Sequence, residues 1–364
     1  MSRRTPSESD AAMPYLLRQF DYHLPESLIA QQPLERRDRS RLMLLRLGGA
    51  SISHHEFQAL PELLPEGTVL VLNNTRVLPR RLLGRLPGGA AVEALLLDEE
   101  EPGLWRAAVK KARRIKPGMR VVFGQGQLPA EAVRRGEDGE WLLRFDNPET
   151  VPERLERRGL APLPPYIRRK EECATQDLLD RGAYQTCYAS MPGAIAAPTA
   201  GLHFSPQVLD SLRHRAVELV ELTLHVGQGT FAPVKTENVR EHRLHREWYE
   251  LAEPAAHRIL QAKDEGRPVI AVGTTSVRAL ESWAQAGSPP GYQGWSELFI
   301  LPPYQFRIVD GMLTNFHQPR SSLLMLVAAF YGLQPLLRAY GEAVAAGYRF
   351  FSYGDCMAIL PLPE

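Results

Sequence analysis

Four stretches of this chain gather residue types that can bind or transform a ligand. In RPVIAVGTTSVRALES a buried run ends at Gly273, and Thr274, Thr275 and Ser276 open a helix. Helix-start N–H groups beside hydroxyls suit an anionic or carboxylate group, although a Thr or Ser that only caps its own helix leaves the same pattern. In TLHVGQGTFAPV a strand ends at Val226, and Gly227 and Gly229, with Thr230 next to them, let the backbone approach a ligand closely. The stretch lacks the G-x-G-x-x-G continuation of a dinucleotide site. In GAIAAPTAGLHF the small residues from Gly193 to Gly201 leave room for a flat ring ahead of His203, and a tight chain crossing would use the same residues. The fourth stretch, WRAAVKKARRIKPGMR at 105–120, carries seven basic and no acidic residues, among them Lys110, Lys111, Arg113, Arg114 and Lys116. Such a run fits RNA phosphates, or simply a solvated strand face. Arg76, Arg80, Arg81 and Arg85 extend it, with no acid between Gly67 and Val92.

Other chemistries find little support. His242 and His245 stand three apart, but there is no HExxH pattern, and Cys173, Cys187 and Cys356 show no CxxC spacing, so no metal is expected. No G-x-S-x-G elbow marks a serine hydrolase.

The elements that must hold these stretches follow from periodicity. TVLVLNNT reads as a buried strand that delivers Asn73, Asn74, Thr75 and Arg76 at its carboxyl end, where ligand clefts form in α/β sheets. VELVELTLHV and RPVIAV read as further strands, and PAAHRILQAKDEG and TTSVRALESWA as helices. From Arg81 to Phe145 the texture changes to short segments divided by PGG, EEEPG, KPG, GQG and RGEDGE, the spacing of a small all-β unit. The expected architecture is therefore an α/β main domain with an inserted, barrel-like β domain. The expected divisions are a flexible tail at 1–19, main domain at 20–80, insertion at 81–150 and main domain again at 151–364.

Composition bounds the rest. A chain of 364 residues with 44% hydrophobic and 23% charged residues folds as a globular protein of about two domains. Its formal charge of +1 averages away the basic cluster at 76–120. The odd cysteine count suits a reducing cytoplasm. The longest apolar run, LLMLVAAFY, falls far short of the roughly 20 residues that cross a bilayer, so a buried core element and no membrane contact are expected.

Ten blocks then occur in a familiar order: LNNTRVLPRRLLG, KARRIKPG, PLPPYI, YQTCYA, GAIAAPTAGLHF, LHVGQGTFAPV, HRLHREWYEL, VGTTSVRALES, DGMLTNFHQPRSSLLMLVAAFYG and RFFSYGD. From Phe20 to Ile359 the chain closely resembles the S-adenosylmethionine:tRNA ribosyltransferase-isomerases of queuosine biosynthesis. The resemblance implies an α/β domain with an inserted β-barrel. It also implies transfer and isomerisation of the ribosyl part of S-adenosylmethionine onto 7-aminomethyl-7-deazaguanine at the tRNA wobble position. Epoxyqueuosine would form, with adenine and methionine released. Ala183, Gln228 and Cys356 depart from the family pattern, which has Arg before YQT, Ala between the glycines and Ala after GD.

Within this resemblance, C5′ of the co-substrate loses a proton made acidic by the adjacent sulfonium, adenine departs, the aminomethyl amine adds, and the new alkoxide displaces methionine to close the epoxide. That sequence needs a base, an acid and oxyanion donors. His203, His225 and His317 are the candidates for proton transfer, with Asp355 and Asp310 to orient a histidine or hold the amine. Gly227, Gly229, Thr230, Gly273, Thr274 and Thr275 are the candidate S-adenosylmethionine contacts. Asn73, Asn74, Arg76, Arg80, Lys110, Lys111, Arg113, Arg114 and Lys116 are the candidate RNA contacts. A cytoplasmic monomer is expected. Two rivals remain at this stage, an S-adenosylmethionine-dependent RNA methyltransferase and a non-catalytic tRNA-binding protein.

Overall fold

The structure, a computed structural model, describes residues 15–49, 51–110, 112–136, 139–169, 174–227, 229 and 233–362. Lys111 and Thr230, both expected site residues, and Gln228 lie outside the described residues, as does most of the expected tail.

The strands in chain order are β1 (Arg41–Arg46), β2 (Ile52–Glu56), β3 (Val69–Asn73), β4 (Thr75–Val77), β5 (Arg81–Arg85), β6 (Ala91–Glu101), β7 (Leu104–Lys110), β8 (Met119–Phe123), β9 (Leu128–Arg135) and β10 (Trp141–Phe145). They continue with β11 (Met191–Ala194), β12 (Glu218–Leu224), β13 (Glu247–Leu251), β14 (Val269–Val272), β15 (Tyr292–Ser296), β16 (Gly311–Asn315) and β17 (Cys356–Leu360). The helices are α1 (Leu60–Leu63), α2 (Val151–Arg158), α3 (Ala174–Ala183), α4 (Pro206–His214), α5 (Glu253–Asp264), α6 (Gly273–Gln285), α7 (Ser322–Tyr331) and α8 (Leu333–Ala345).

A nine-stranded mixed sheet runs in the order β15-β13-β12-β3-β14-β16-β17-β1-β2. Its middle strands β12, β3, β14 and β16 are mutually parallel. β3 shows why VLVLN must be apolar throughout. Val69 and Val71 pack into one core with α5 to α8, while Leu70 and Leu72 pack into a second with α1 and α4. A strand covered on both faces has no polar side to spare. The LLMLVAAFY run is α7, whose Leu324 to Ala328 are buried. Ser321 caps its start by accepting a hydrogen bond from Leu324 N.

β5 to β10 close into an antiparallel six-stranded barrel with a core of its own around Leu96, Trp105, Phe123, Ala132 and Leu143. The α/β main domain with an inserted barrel is thus the observed architecture. Two boundaries differ from expectation. The barrel core also takes Val151 and Leu155 from α2, so the inserted unit runs to Gly159. There the chain returns beside its own entry, with Arg81 and Leu160 exchanging both backbone hydrogen bonds. A Cβ on Gly159 would stand 1.7 Å from Pro79 O, so this neck requires glycine. The main domain likewise begins before Phe20, because Leu17 N donates to Glu237 O and Phe20 is fully buried.

Candidate functional site

The carboxyl ends of β12, β3, β14 and β16 lie side by side, and the site is built there. Asn73, the last residue of β3, spans the gap between its neighbours. Its Oδ1 accepts from Leu224 N and Thr75 N, both at 3.1 Å, and its Nδ2 donates to Leu224 O at 3.0 Å and to Thr275 Oγ1 at 3.4 Å. Asn74 is similarly engaged, accepting from Thr223 Oγ1 and donating to Glu221. Neither amide is free for a nucleotide, which removes Asn73 and Asn74 from the expected RNA contacts and makes them braces of the strand ends.

Asn73 and the β12 end aim His225 outward. Its ring stacks on Trp248 at 5.1 Å and 19°, and its Nδ1 pairs with Thr75 Oγ1 at 2.8 Å. On the opposite face sits Gly193, where a Cβ would come within 2.4 Å of the imidazole. The GAIAAP loop therefore packs its backbone flat on this ring. Burial, and then the Arg80 guanidinium, hold the His225 pKa below the ordinary imidazole value, so the ring is a neutral base at physiological pH. Among the described residues Nε2 has no hydrogen-bond partner.

His203 and His317 differ in kind. Asn315 donates Nδ2 to Phe351 O and accepts from Thr199 Oγ1, which fixes its amide; Nδ2 then faces His203 Nε2 at 3.0 Å. Nε2 must accept, so Nδ1–H donates to Ser40 Oγ at 2.8 Å. His317 Nε2 pairs with Thr314 Oγ1 at 2.7 Å, and its backbone N–H and C=O hold the hydroxyls of Tyr340 and Tyr22. Burial first of all pushes both imidazoles down to about 3. Asp355 is spent on the backbone amides of Arg41 and Arg349, and Asp310 pairs with Lys263 beside the amino end of β14, at the other end of the strands from the site. His203, Asp355 and Asp310 therefore hold the fold around the site, and His317 is tied to it through Nε2 and its backbone.

The two buried histidines carry a stability consequence. They ionise near 6.5 when exposed and near 3 when folded, so the unfolded chain binds up to two more protons between those values. Stability is full above that window and is lost as pH falls through it, by up to about 2.7 kcal/mol per pH unit. Urea midpoints measured from pH 7 to pH 4 should fall accordingly, and His317→Gln should flatten the slope.

The α6 start sits between these groups. Gly273 has φ +85°, a conformation that favours glycine, and Thr274, Thr275 and Ser276 are buried. Ser276 Oγ turns back to Val272 O, and no side chain caps the first turn. Ala200 of the PTAGLH turn lies against Gly273. On the other flank, Gly227 N donates to Glu247 Oε1 at 2.8 Å, and Arg278 Nη1 donates to Glu247 Oε2 at 2.5 Å. This ion pair is almost wholly buried. Arg278 Nη2 has no partner among the described residues, beside a cavity of about 10 Å³, room for one water, lined by Gly229, His245 and Ser322.

The basic residues divide. Arg80 is turned inward, donating to Leu97 O with its guanidinium 5.3 Å from the Trp105 ring centroid, so it secures the barrel and leaves the expected RNA set. Lys110 pairs with Glu93 at 2.7 Å. Arg113, Arg114 and Lys116 are exposed on the turn between β7 and β8, with no ion pair among the described residues. Arg76 lines a cleft of about 180 Å³ between β4, α2 and Gln185.

An α/β domain whose strand ends cradle a buried histidine and an uncapped helix start, joined to a barrel with a basic turn, is the frame of an enzyme acting on nucleic acid. Residues 17–359 match the family of queuosine biosynthesis proteins, and the chain belongs to that family. It is 49% identical to the S-adenosylmethionine:tRNA ribosyltransferase-isomerase of Desulfitobacterium hafniense over 94% of this chain and 99% of the relative. The enzyme of that name from Gloeobacter violaceus is 50% identical over 95% and 96%. The solved structure of S-adenosylmethionine tRNA ribosyltransferase from Thermotoga maritima, 36% identical, superposes with a TM-score of 0.54, covering 94% of this chain and all of the other.

Sequence reasoning missed Glu247, Arg278, Trp248 and Asn315. One signal was available. Glu247 begins the EWYEL strand at an inward position of its alternation, where an acid must have a buried partner.

Proposed function

We propose that this protein is an S-adenosylmethionine:tRNA ribosyltransferase-isomerase of queuosine biosynthesis, with S-adenosylmethionine as ribosyl donor and tRNA as acceptor. The observation that carries the reading is near-complete coverage by enzymes of that name at 49% identity. Its finer parts are that the acceptor base is 7-aminomethyl-7-deazaguanine at the wobble position and that the protein works as a cytoplasmic monomer. No single described helix is long and apolar enough to cross a membrane.

His225 is assigned the proton transfer. The C5′–H bond of the co-substrate breaks, its proton passes to Nε2, and the electron pair stays on the carbon beside the sulfonium. Thr75 Oγ1 fixes the ring through Nδ1, and Trp248 and Gly193 hold its plane. The α6 start with Gly273, Thr274 and Thr275 is assigned to the co-substrate, offering amide donors to its anionic end, and Gly227, held on Glu247, and Gly229 are assigned to its close backbone contacts. Arg76 and the Arg113, Arg114 and Lys116 turn are assigned to tRNA phosphates.

For the last assignment, changing Arg113, Arg114 and Lys116 together to Ala should lower the slope of log affinity against log salt for tRNA by about 2 to 3. An unchanged slope removes the barrel turn from the RNA face. For the function itself, S-adenosylmethionine labelled in the ribose should pass label into tRNA, while methyl-labelled co-substrate should not. Transfer of the methyl label with S-adenosylhomocysteine release would establish a methyltransferase instead.

A further inference from the structure

His225 is not an isolated ring on its face of the sheet. His225 N donates to Trp248 O at 2.9 Å, continuing the β12–β13 ladder by one residue, and Trp248 stands directly opposite Trp295 in the β13–β15 ladder. Directly opposed residues of antiparallel strands put their side chains on the same face. His225, Trp248 and Trp295 therefore form one row across three strands. The other face of β13 and β15 is the buried one, holding Tyr249, Leu251 and their stacking partner Tyr292. Along the row exposure rises outward. His225 and Trp248 are half-buried, and Trp295 is 55% exposed, one of the few large apolar side chains left in solvent.

A surface tryptophan of this size loses hydrophobic stabilisation unless something covers it. Its surroundings indicate what does. The Arg246 guanidinium lies 4.6 Å from the Trp295 ring centroid. The segment leading into β13, REHRLHR, supplies Arg240, Arg243 and Arg246 against a single acid, Glu241, whose carboxylate accepts from Asn238. On the opposite side of the row, Glu250 and Gln293 form the next opposed pair, so the cation beside the indole lies on the Arg246 side and an acid on the other. An exposed indole plane bordered by arginines suits an unpaired nucleobase, whose π-face stacks on the ring while its phosphate meets the cation. A protein partner would not require the one-sided charge.

We propose that Trp295, with Arg246, is a stacking platform for an unpaired RNA base next to the nucleotide being modified. Resting on the reading of His225 and tRNA given above, it adds where the flanking nucleotide goes. Two interstrand spacings, about 10 Å, separate Trp295 from His225, so a base on Trp295 belongs to a near neighbour of the target. The platform explains how the enzyme holds a loop open: binding a flanking base outside the stack keeps the wobble base accessible to His225.

The test uses the full chain, a labelled tRNA anticodon stem-loop and whole tRNA. Trp295→Ala should weaken stem-loop binding by about 5- to 100-fold and raise KM for tRNA without moving KM for S-adenosylmethionine. Trp295→Phe should restore most of the affinity, and Arg246→Ala should shift it in the same direction as Trp295→Ala with a smaller effect. Affinity for a blunt RNA duplex, which has no splayed base, should not respond to Trp295. Wild-type turnover of tRNA with Trp295→Ala binding the loop as the wild type does would overturn the platform and leave the enzymatic reading intact. Trp295-dependent loop binding without adenine release by the wild type would keep the platform and overturn that reading.

Discussion

His225→Gln is expected to lower the single-turnover rate of adenine release by about 10² to 10⁴-fold, the usual contribution of a positioned base, with little change in tRNA affinity. Gln keeps approximate size and its amide N–H can still donate to Thr75 Oγ1, as Nδ1–H of the neutral ring does when Nε2 is the base, so the strand ends stay braced while the basic nitrogen is gone. The pH profile adds a second reading. A base works when neutral, so the rate rises with pH through its pKa. Burial and Arg80 set that pKa below 6.5, so the acid limb of kcat/KM should lie below 6.5 and disappear in the variant. His203→Gln and His317→Gln should instead act mainly on stability, because His203 is hydrogen-bonded through both ring nitrogens and His317 ties Thr314, Tyr340 and Tyr22 together. A rate loss in either of them as large as that of His225→Gln, at matched folding, would move the proton transfer away from His225.

Arg278→Met is expected to cost about 3–5 kcal/mol, since it takes away the cation that balances the buried Glu247 carboxylate. Glu247 is 3% exposed and Arg278 5% exposed, so bulk solvent does little to screen the charge left behind. The double variant Glu247→Leu with Arg278→Met removes both charges and should regain much of the stability. It should not regain activity, because Gly227 N loses the acceptor that sets the turn over the site. Full activity in a stable double variant would show that the ion pair serves folding alone.

The legible parts of this chain were those governed by local period and turn chemistry. VLVLN announced a doubly covered strand, and the PGG, KPG and GQG breaks announced the barrel, because each depends on residues a few positions apart. The neck at Gly159 was not legible, since it depends on Pro79 and Arg81 meeting the chain some eighty residues later. Histidine roles were illegible for the same reason. His203 and His225 both follow small-residue motifs or strand ends, yet one is locked by Ser40 and Asn315 and the other keeps a nitrogen free. Asn73 and Asn74 read as ligand contacts because polar residues at a strand's carboxyl end commonly are, and here the neighbouring strand claimed both amides first.

The most direct test of the central assignment is adenine release in a single turnover of wild-type protein, comparing tRNA that carries 7-aminomethyl-7-deazaguanine at the wobble position with the same tRNA carrying guanine. The expected result is one adenine per modified tRNA, with methionine in equal amount, and none with guanine. Adenine release at the same rate from both tRNAs, or none from either, would contradict it.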